Sequence, residues 1–254
     1  MVKYKFLGMT LWRKESPELV RAMEMDYMEL LLSAHRLHRS VFTPYKDVNR
    51  GRDVVLVATG PSLRDFVPIE DAVYLGVNSA CLYDKVHFDY LFLQDYAGST
   101  PEYIETFCSY PGAKKFLGWE PYQRLPLSVI PDMYSSYPDV HRYYCGFTNL
   151  KRSFTSDIAS APLGDAHGSI VFPAMQFILW THPRRIYLVG CDTNRDGYYA
   201  GKGKKNVLNT ENVYQGWVHM KQFVQCYYPD IEIVSVNPVG LKSLFRDEYQ
   251  TPHA

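Results

Sequence analysis

Four apolar runs in this chain each end in polar residues of the types that contact small ligands. Thr59-Gly60-Pro61-Ser62 ends the first run, Asn78 the second, Gln94-Asp95 the third and Asp192 the fourth. An asparagine side chain offers a donor and an acceptor on one rigid amide, which suits a ribose or a base. Each feature alone is explained by a turn or a helix cap. Together, at the ends of four successive predicted strands, they predict a polar crevice.

The segment Gly60-Pro61-Ser62 has the composition of a loop that lets a ligand approach the backbone. Gly60 permits a tight turn, and Ser62 is placed to cap a following helix whose free N–H groups would receive a phosphate. The segment is neither GxGxxG nor a Walker loop, so a turn followed by a cap explains it as well.

A second helix start made of small residues, His167-Gly168-Ser169, precedes a long apolar run and could also receive a phosphate or a ribose. His167 lies beside a helix N-terminus, where the neutral imidazole is favoured and can accept a proton. His219 and Asp192 are the other candidates for a general base. The structural alternatives are a cap neighbour for His167, an ordinary helix position for His219 and a loop cap for Asp192.

The elements that must position these residues alternate along the chain. Near-continuous apolar runs predict strands buried on both faces, at 53–58, 72–77, 88–93, 115–119, 185–189 and 231–236. Helical spacing predicts helices at 17–39, 169–182 and 210–228. Residues 121–167 show no clean period and are interpreted as a long, partly irregular insert.

This alternation predicts an α/β, Rossmann-like fold in which a mostly parallel sheet carries helices on both faces, with an additional N-terminal helix. Ligands of such sheets bind at the carboxyl ends of the strands, near the point where the strand order reverses. The residues that follow each strand are therefore the ones to inspect.

Two domains are predicted, an N-terminal amphipathic helical segment at 1–50 and a nucleotide-sugar-binding catalytic domain at 51–254. Residues 3–13 alternate between polar and apolar types and suit a short strand or an amphipathic leader. The helix at 17–39 ends in a cluster of cationic residue types: His35, Arg36, His38 and Arg39. That cluster either complements the helix dipole or contacts anionic lipid or a phosphate-bearing acceptor.

Composition limits the partners and the compartment. Lys and Arg total 27, as do Asp and Glu, so nothing in the charge balance predicts nucleic-acid binding. The 5 cysteines include no CxxC pair, which argues against a cysteine metal site and favours reduced thiols in the cytoplasm. Neither a signal peptide nor an apolar run of membrane-spanning length is found, so we expect a cytoplasmic protein, with the inner membrane face as a workplace.

The motifs resemble those of a known family. Gly60-Pro61-Ser62-Leu63 and Asn78 resemble the opening of the small bacterial sialyltransferases that act on lipooligosaccharide and use CMP-sialic acid. Gly168-Ser169, followed by an apolar helix and Arg185 to Asp192, resembles that family's second nucleotide-binding segment, and Ile231 to Pro238 resembles its last strand. The same features are similar to the motility-accessory-factor glycosyltransferases.

The resemblance implies a GT-A-like sialyltransferase variant that needs no cofactor or metal beyond a nucleotide-sugar co-substrate, with a CMP-sugar suspected. In that family the loop and the asparagine hold the CMP, which here means Gly60, Ser62 and Asn78, and paired tyrosines bind the departing phosphate, which here means Tyr198 and Tyr199. The implied partners are the donor and a glycan or lipid-linked glycan acceptor.

The chain departs from the family at three places. Thr59 stands where the family has asparagine, and Gln94-Asp95 replaces the family's second base-contacting asparagine. No histidine matches the family's catalytic histidine, and the nearest is His219. An Mg²⁺- and ATP-dependent pterin pyrophosphokinase and a non-catalytic partner in polysaccharide assembly are therefore alternatives; Asp192 and Asp196 would be the ligands if a metal is used.

Overall fold

The computed structural model describes residues 2–6, 9–13, 17–94, 101–119, 137, 139–146, 154–164, 168–194, 196–199 and 207–250. None of the helices in these ranges combines the length and the apolar run needed to cross a bilayer.

The chain begins with a β-hairpin. Strands β1 (Val2–Phe6) and β2 (Met9–Arg13) pair antiparallel. The segment that the sequence predicts as a strand or a leader is therefore two strands paired with each other.

The described residues contain one large sheet in which nine strands all run parallel. The strands are β3 (Asp53–Val57), β4 (Val73–Val77), β5 (Tyr90–Leu93), β6 (Lys114–Trp119), β7 (Val140–Gly146), β8 (Leu163–Gly164), β9 (Arg185–Val189), β10 (Glu232–Val236) and β11 (Arg246–Glu248). Their spatial order is β11-β10-β9-β3-β4-β5-β6-β7-β8. The predicted Rossmann-like parallel sheet is confirmed.

Helices cover both faces of the sheet, as predicted. The described α-helices are α1 (Pro17–Phe42), α2 (Pro101–Ser109), α3 (Val171–Trp180) and α4 (Val207–Tyr227). Single 3₁₀ turns lie at Thr43–Tyr45, Pro61–Asp65 and Asn78–Leu82.

Alternate residues of each central strand enter two separate hydrophobic cores. On one face Leu56, Leu75 and Leu188 pack with α3, α4 and the end of α1. On the other face Val55 and Val189 pack with α2 and the two 3₁₀ turns that follow β3 and β4. All ten residues of α3 are buried, which explains why its sequence is apolar all round.

The interpretation of 121–167 as a partly irregular insert needs correction at two described segments, while residues 154–162 form neither helix nor strand. Residues 140–146 form β7, which pairs with β6, and residues 163–164 form β8. The sequence of β7, VHRYYCG, hides its strand character because His141, Arg142 and Tyr144 are only half-buried, so no apolar run marks it. β11, with the sequence RDE, was missed for the same reason.

The cationic end of α1 is not a uniformly solvated group. His38 is fully buried. Its Nδ1 lies 2.9 Å from the carbonyl oxygens of Ile158 and Ala161, and its Nε2 lies 2.7 Å from the backbone N of Tyr144. Nδ1 must therefore carry the proton, and Nε2 accepts the Tyr144 N–H. Burial lowers the pKa of His38 to about 4, so at neutral pH this side chain is an uncharged connector between α1 and β7.

Because His38 is buried, only part of the cationic cluster at the end of α1 remains available for a contact with lipid. Arg36 and Arg39 are exposed, and the hypothesis of a membrane contact now depends on them. The domain boundary at residue 50 stays a prediction, although Phe42 of α1 stacks on Phe116 of β6 with ring centroids 5.7 Å apart.

We expect His38 to make the protein less stable in mild acid. Unfolded histidine has a pKa near 6.5, whereas folded His38 has a pKa of about 4. Between these values the unfolded chain binds a proton that the folded chain does not, so the free energy of unfolding falls as pH drops from 6.5 to 4, by about 3 kcal/mol. Urea unfolding at several pH values measures this fall. The His38→Gln variant lacks this titrating group. The slope of its unfolding free energy against pH in this range should therefore correspond to about one bound proton fewer than in the wild type; equal slopes would contradict the assignment.

Candidate functional site at the carboxyl edge of the sheet

The order of the strands reverses between β3 and β9. From β3 the chain builds the sheet outwards to β8, then returns to the other side of β3 to form β9, β10 and β11. Open parallel sheets bind their ligands outside the carboxyl ends of the strands at such a switch point. The loops after β9, β3, β4 and β5 follow strands that are neighbours in the sheet. They therefore lie together at its carboxyl edge, as the sequence predicts.

The centre of this edge is a contact between Asp192 and Ser62. The backbone N–H of Ser62 donates to Oδ2 of Asp192 at 2.9 Å, and the Ser62 hydroxyl donates to Oδ1 in a short hydrogen bond. Asp192 is 2% exposed. The carboxylate that follows β9 is therefore held by the loop that follows β3, across the switch point itself.

Glycines allow these loops to approach each other closely. A Cβ on Gly60 would lie 2.5 Å from both Cγ of Asp192 and the carbonyl oxygen of Gly190. The N–H of Gly60 donates to that same Gly190 carbonyl at 2.8 Å. Gly240, in the loop after β10, packs against the Asp192 backbone and donates its N–H to the Asp192 carbonyl at 2.7 Å.

Two predictions for the Gly60-Pro61-Ser62 loop need correction: that a helix follows it, and that Ser62 caps this helix. Residues 61–65 form one 3₁₀ turn rather than a helix, since Val67 precedes Pro68 and the residue before a proline disfavours helical backbone. Ser62 caps no helix, because its amide and hydroxyl both engage Asp192. Gly60 is needed for contact with the protein's own Asp192 and Gly190, whatever ligand binds.

The ends of β4 and β5 are joined by Asn78. This residue has a φ of +48°, a conformation that asparagine tolerates better than most residues. Its Oδ1 accepts the backbone N–H of Gln94 at 3.2 Å, so the direction of the amide is set. Its Nδ2 makes no hydrogen bond within the described part of the chain and remains as a donor at the crevice.

The segment after Asp192 turns back over the β3 loop. The N–H of Tyr199 donates to the carbonyl of Thr59 at 2.7 Å, and the Tyr199 ring packs edge-on against Tyr83 with centroids 5.6 Å apart. Tyr198 is 41% exposed. The structure thus brings the predicted tyrosine pair to the predicted loop, with the Tyr199 ring packed on Tyr83 and Tyr198 partly exposed.

The remaining predicted residues are more dispersed. Asp95 and His167 lie outside the described residues. Gly168 and Ser169 lie just before α3, separated from it by the N-cap residue Ile170, and α3 begins at the carboxyl edge because β8 before it runs parallel to the other strands. His219 is exposed and lies just past the middle of α4, about 18 Å along the helix axis from its first residue, so the structure does not bring it to the strand ends.

Two residues that support this edge were missed from the sequence. Asn237, in the loop after β10, donates through Nδ2 to the carbonyl of Asp65 at 3.3 Å and accepts the Gln250 N–H at 2.8 Å. Gln176, buried in α3, exchanges hydrogen bonds with both backbone groups of Gly164 at 3.0 and 2.8 Å. The Asn-Pro at the end of β10 was a usable signal for the first; an isolated glutamine in an apolar helix was the signal for the second.

Metal ligands are not assembled at this edge. In the ranges that the structure describes, no group of three or more His, Cys, Asp or Glu side chains is placed to hold a metal ion. Asp192 and Asp196 do not share a site: Asp196 is exposed and its carboxylate accepts Asn194 Nδ2 at 2.8 Å.

Comparisons with known proteins find similarity only among solved structures. No protein-family model matches the chain, and no curated protein matches its sequence. A structure of the sialyltransferase CstII from Campylobacter jejuni with cytidine-5'-monophosphate has a TM-score of 0.46 at 14% identity, covering 78% of this chain and 85% of that one. The same enzyme with CMP-3FNeuAc has a TM-score of 0.45 at 14% identity, covering 77% and 85%.

A third structure, of the sialyltransferase CST-II with a trisaccharide acceptor and CMP, has a TM-score of 0.45 at 15% identity and covers 76% of this chain and 83% of that one. These proteins are of the same kind as the family that the sequence motifs resemble. With TM-scores below 0.5, the similarity assigns no activity to this chain.

The close packing at Gly60 predicts a large cost for adding a methyl group. Gly60→Ala places Cβ 2.5 Å from the Asp192 carboxylate and from the backbone oxygen of Gly190, and we expect a loss of about 3 kcal/mol or more in the free energy of unfolding. Gly51→Ala is the control, since its Cβ meets nothing within 4 Å and only its φ of +78° is unfavourable, at about 1 kcal/mol. Urea unfolding of both variants measures the difference; equal losses would contradict the packing.

Proposed function

We propose that this protein is a glycosyltransferase that takes its sugar from a nucleotide-activated donor, with a CMP-activated acidic sugar such as sialic acid as the first candidate. The acceptor is a glycan or a lipid-linked glycan of a bacterial surface polysaccharide. The observation that carries the proposal is that the loops after β3, β4, β5 and β9, which carry Ser62, Asn78 and the Tyr198-Tyr199 pair, are joined by hydrogen bonds and a ring contact at one edge of the sheet.

The polar side chains at this edge of the sheet suit a nucleoside. Asn78 supplies an oriented amide donor, and Ser62 supplies a hydroxyl whose direction Asp192 sets. The buried carboxylate of Asp192 lies where a phosphate-binding loop would present free N–H groups, and its negative charge opposes a polyphosphate there. This favours a nucleotide held by its ribose and base over the binding of ATP through its phosphates.

The chemistry of transfer requires a stabilised leaving phosphate and a base for the acceptor hydroxyl. We assign the leaving phosphate to Tyr198 and Tyr199, whose hydroxyls donate hydrogen bonds without a metal. Tyr199 is anchored through its backbone to Thr59, which fixes the pair relative to the nucleoside loop. His167 is the proposed base, because Asp192 is occupied by Ser62 and His219 lies far along α4.

Nucleotide binding is tested first by thermal unfolding with CMP, CDP, UDP, GDP or ATP, each with Mg²⁺ or with EDTA. A ligand at a hundredfold excess over its dissociation constant stabilises the fold by about 2.7 kcal/mol. We expect CMP to raise the unfolding temperature equally with Mg²⁺ and with EDTA. A response only to ATP with Mg²⁺ would support a pyrophosphokinase instead, and no response to any nucleotide would support a non-catalytic partner.

The assignment of Asn78 predicts a selective loss of nucleoside affinity. Asn78→Asp keeps an oxygen for the Gln94 N–H and tolerates the positive φ, but it removes the Nδ2 donor. We expect affinity for CMP and for uncharged cytidine to fall about 3- to 10-fold, as for one lost hydrogen bond. Calorimetric titration measures both ligands, and including cytidine separates this loss from charge repulsion. Unchanged cytidine affinity in a variant that unfolds at the wild-type temperature would rule out the contact.

A further inference from the structure

We propose that Asp192 sets the hydrogen-bonding polarity of the Gly60-Pro61-Ser62 loop, so that the loop binds a ribose hydroxyl of the ligand and excludes its phosphate. The ribose part rests on the proposed function, whereas the exclusion of phosphate rests on the geometry alone. Asp192 is then a positioning residue that acts on the ligand through Ser62.

The hydrogen-bonding polarity of the loop follows from the number of hydrogen-bond donors on Ser62. A serine residue has two hydrogen-bond donors, the backbone N–H and the side-chain O–H. Both point at the carboxylate of Asp192, at Oδ2 and Oδ1 respectively. What Ser62 retains for a ligand is the lone pairs of Oγ, so it can accept a hydrogen bond and has none left to donate.

The carboxylate is held in place from several directions. Asp192 is 2% exposed, and its backbone carbonyl accepts the N–H of Gly240 at 2.7 Å. On the other side Gly60 lies so close that it has no room for a Cβ. A phosphate could take the Ser62 donors only by displacing a buried carboxylate from charge-assisted hydrogen bonds, which leaves that charge unpaired.

The ligand groups that fit are therefore donors. A phosphate oxygen is an acceptor and carries negative charge, so it meets Oγ lone pairs and the Asp192 carboxylate, both repulsive. A ribose hydroxyl can donate to Oγ of Ser62 and still accept a hydrogen bond through its own oxygen. This places the sugar of the nucleoside at the β3 loop and directs the phosphate away from it, towards the outer part of the crevice where Tyr198 is exposed.

Asp192→Asn inverts this polarity with little change of shape. The amide oxygen can still accept the Ser62 N–H, but the amide nitrogen donates to Oγ and turns the Ser62 hydroxyl outwards as a donor. The variant should therefore gain affinity for an anion, which the outward hydroxyl can donate to. Asp247→Asn is the matched control, because Asp247 accepts the backbone N–H of Ser243 at 3.1 and 3.0 Å at a site away from Ser62.

The phosphate arm of the test needs no nucleotide. In ¹⁵N-labelled protein, the amide resonance of Ser62 is followed while inorganic phosphate is added. We expect it not to move in the wild type or in Asp247→Asn, and to move with saturation in Asp192→Asn. A wild-type Ser62 amide that responds to phosphate as strongly as the variant does would overturn the proposal.

The ribose arm compares CMP with its 2'-deoxy and 3'-deoxy forms by calorimetric titration. In the wild type, removal of the hydroxyl that contacts Ser62 should weaken binding about 3- to 10-fold, and in Ser62→Ala, which lacks Oγ, the same removal should have no effect. A wild type that binds all three ligands equally, or a Ser62→Ala variant that retains the discrimination, would overturn the ribose assignment. A wild type that binds no nucleotide would refute the proposed function, and the phosphate arm would still decide the polarity.

Discussion

The hydrogen bonds between Asp192 and Ser62 are the constraint on which the edge of this sheet depends. They join positions 130 residues apart, in the loops that follow the two neighbouring strands at which the strand order reverses. Both donors of Ser62 are used, so the β3 loop has one orientation relative to β9. The other parts of the edge are built onto this contact: Gly240 through the Asp192 carbonyl, and Tyr199 through the Thr59 carbonyl.

The sheet beneath gives this contact a rigid base. The central strands are buried on both faces, with alternate side chains in two cores, and α3 is buried along its whole length. Two buried polar side chains connect these layers: His38 links α1 to β7, and Gln176 links α3 to β8. Groups that are held before a ligand arrives do not have to reorganise when it binds. The buried carboxylate of Asp192 also distinguishes this edge of the sheet from a phosphate-binding loop, because the edge already carries a negative group.

Prediction from sequence worked best where burial was strongest. The runs at 53–58, 72–77, 185–189 and 231–236 are apolar because both faces of those strands are covered, and each is a strand with ends within one residue of the prediction. It failed for β7 and β11, whose side chains are partly exposed and whose pairing partners are far away in sequence. It also failed at residues 61–65, where the predicted serine cap is followed by no helix: the segment forms only a 3₁₀ turn, because Pro68 follows too soon.

The candidate site shows the same difference between what local sequence predicts and what depends on distant parts of the chain. The sequence by itself determined that polar residues follow β3, β4, β5 and β9, and that parallel strands bring these ends to one edge, because apolar runs and their terminating residues are local properties of the chain. Only the tertiary structure decided that Asp192 faces Ser62, that Gly60 makes room for this contact, and that His219 lies far from it. Those facts depend on which strands become neighbours and on the direction of each side chain after packing, and nothing near Ser62 in the sequence specifies a carboxylate 130 positions later.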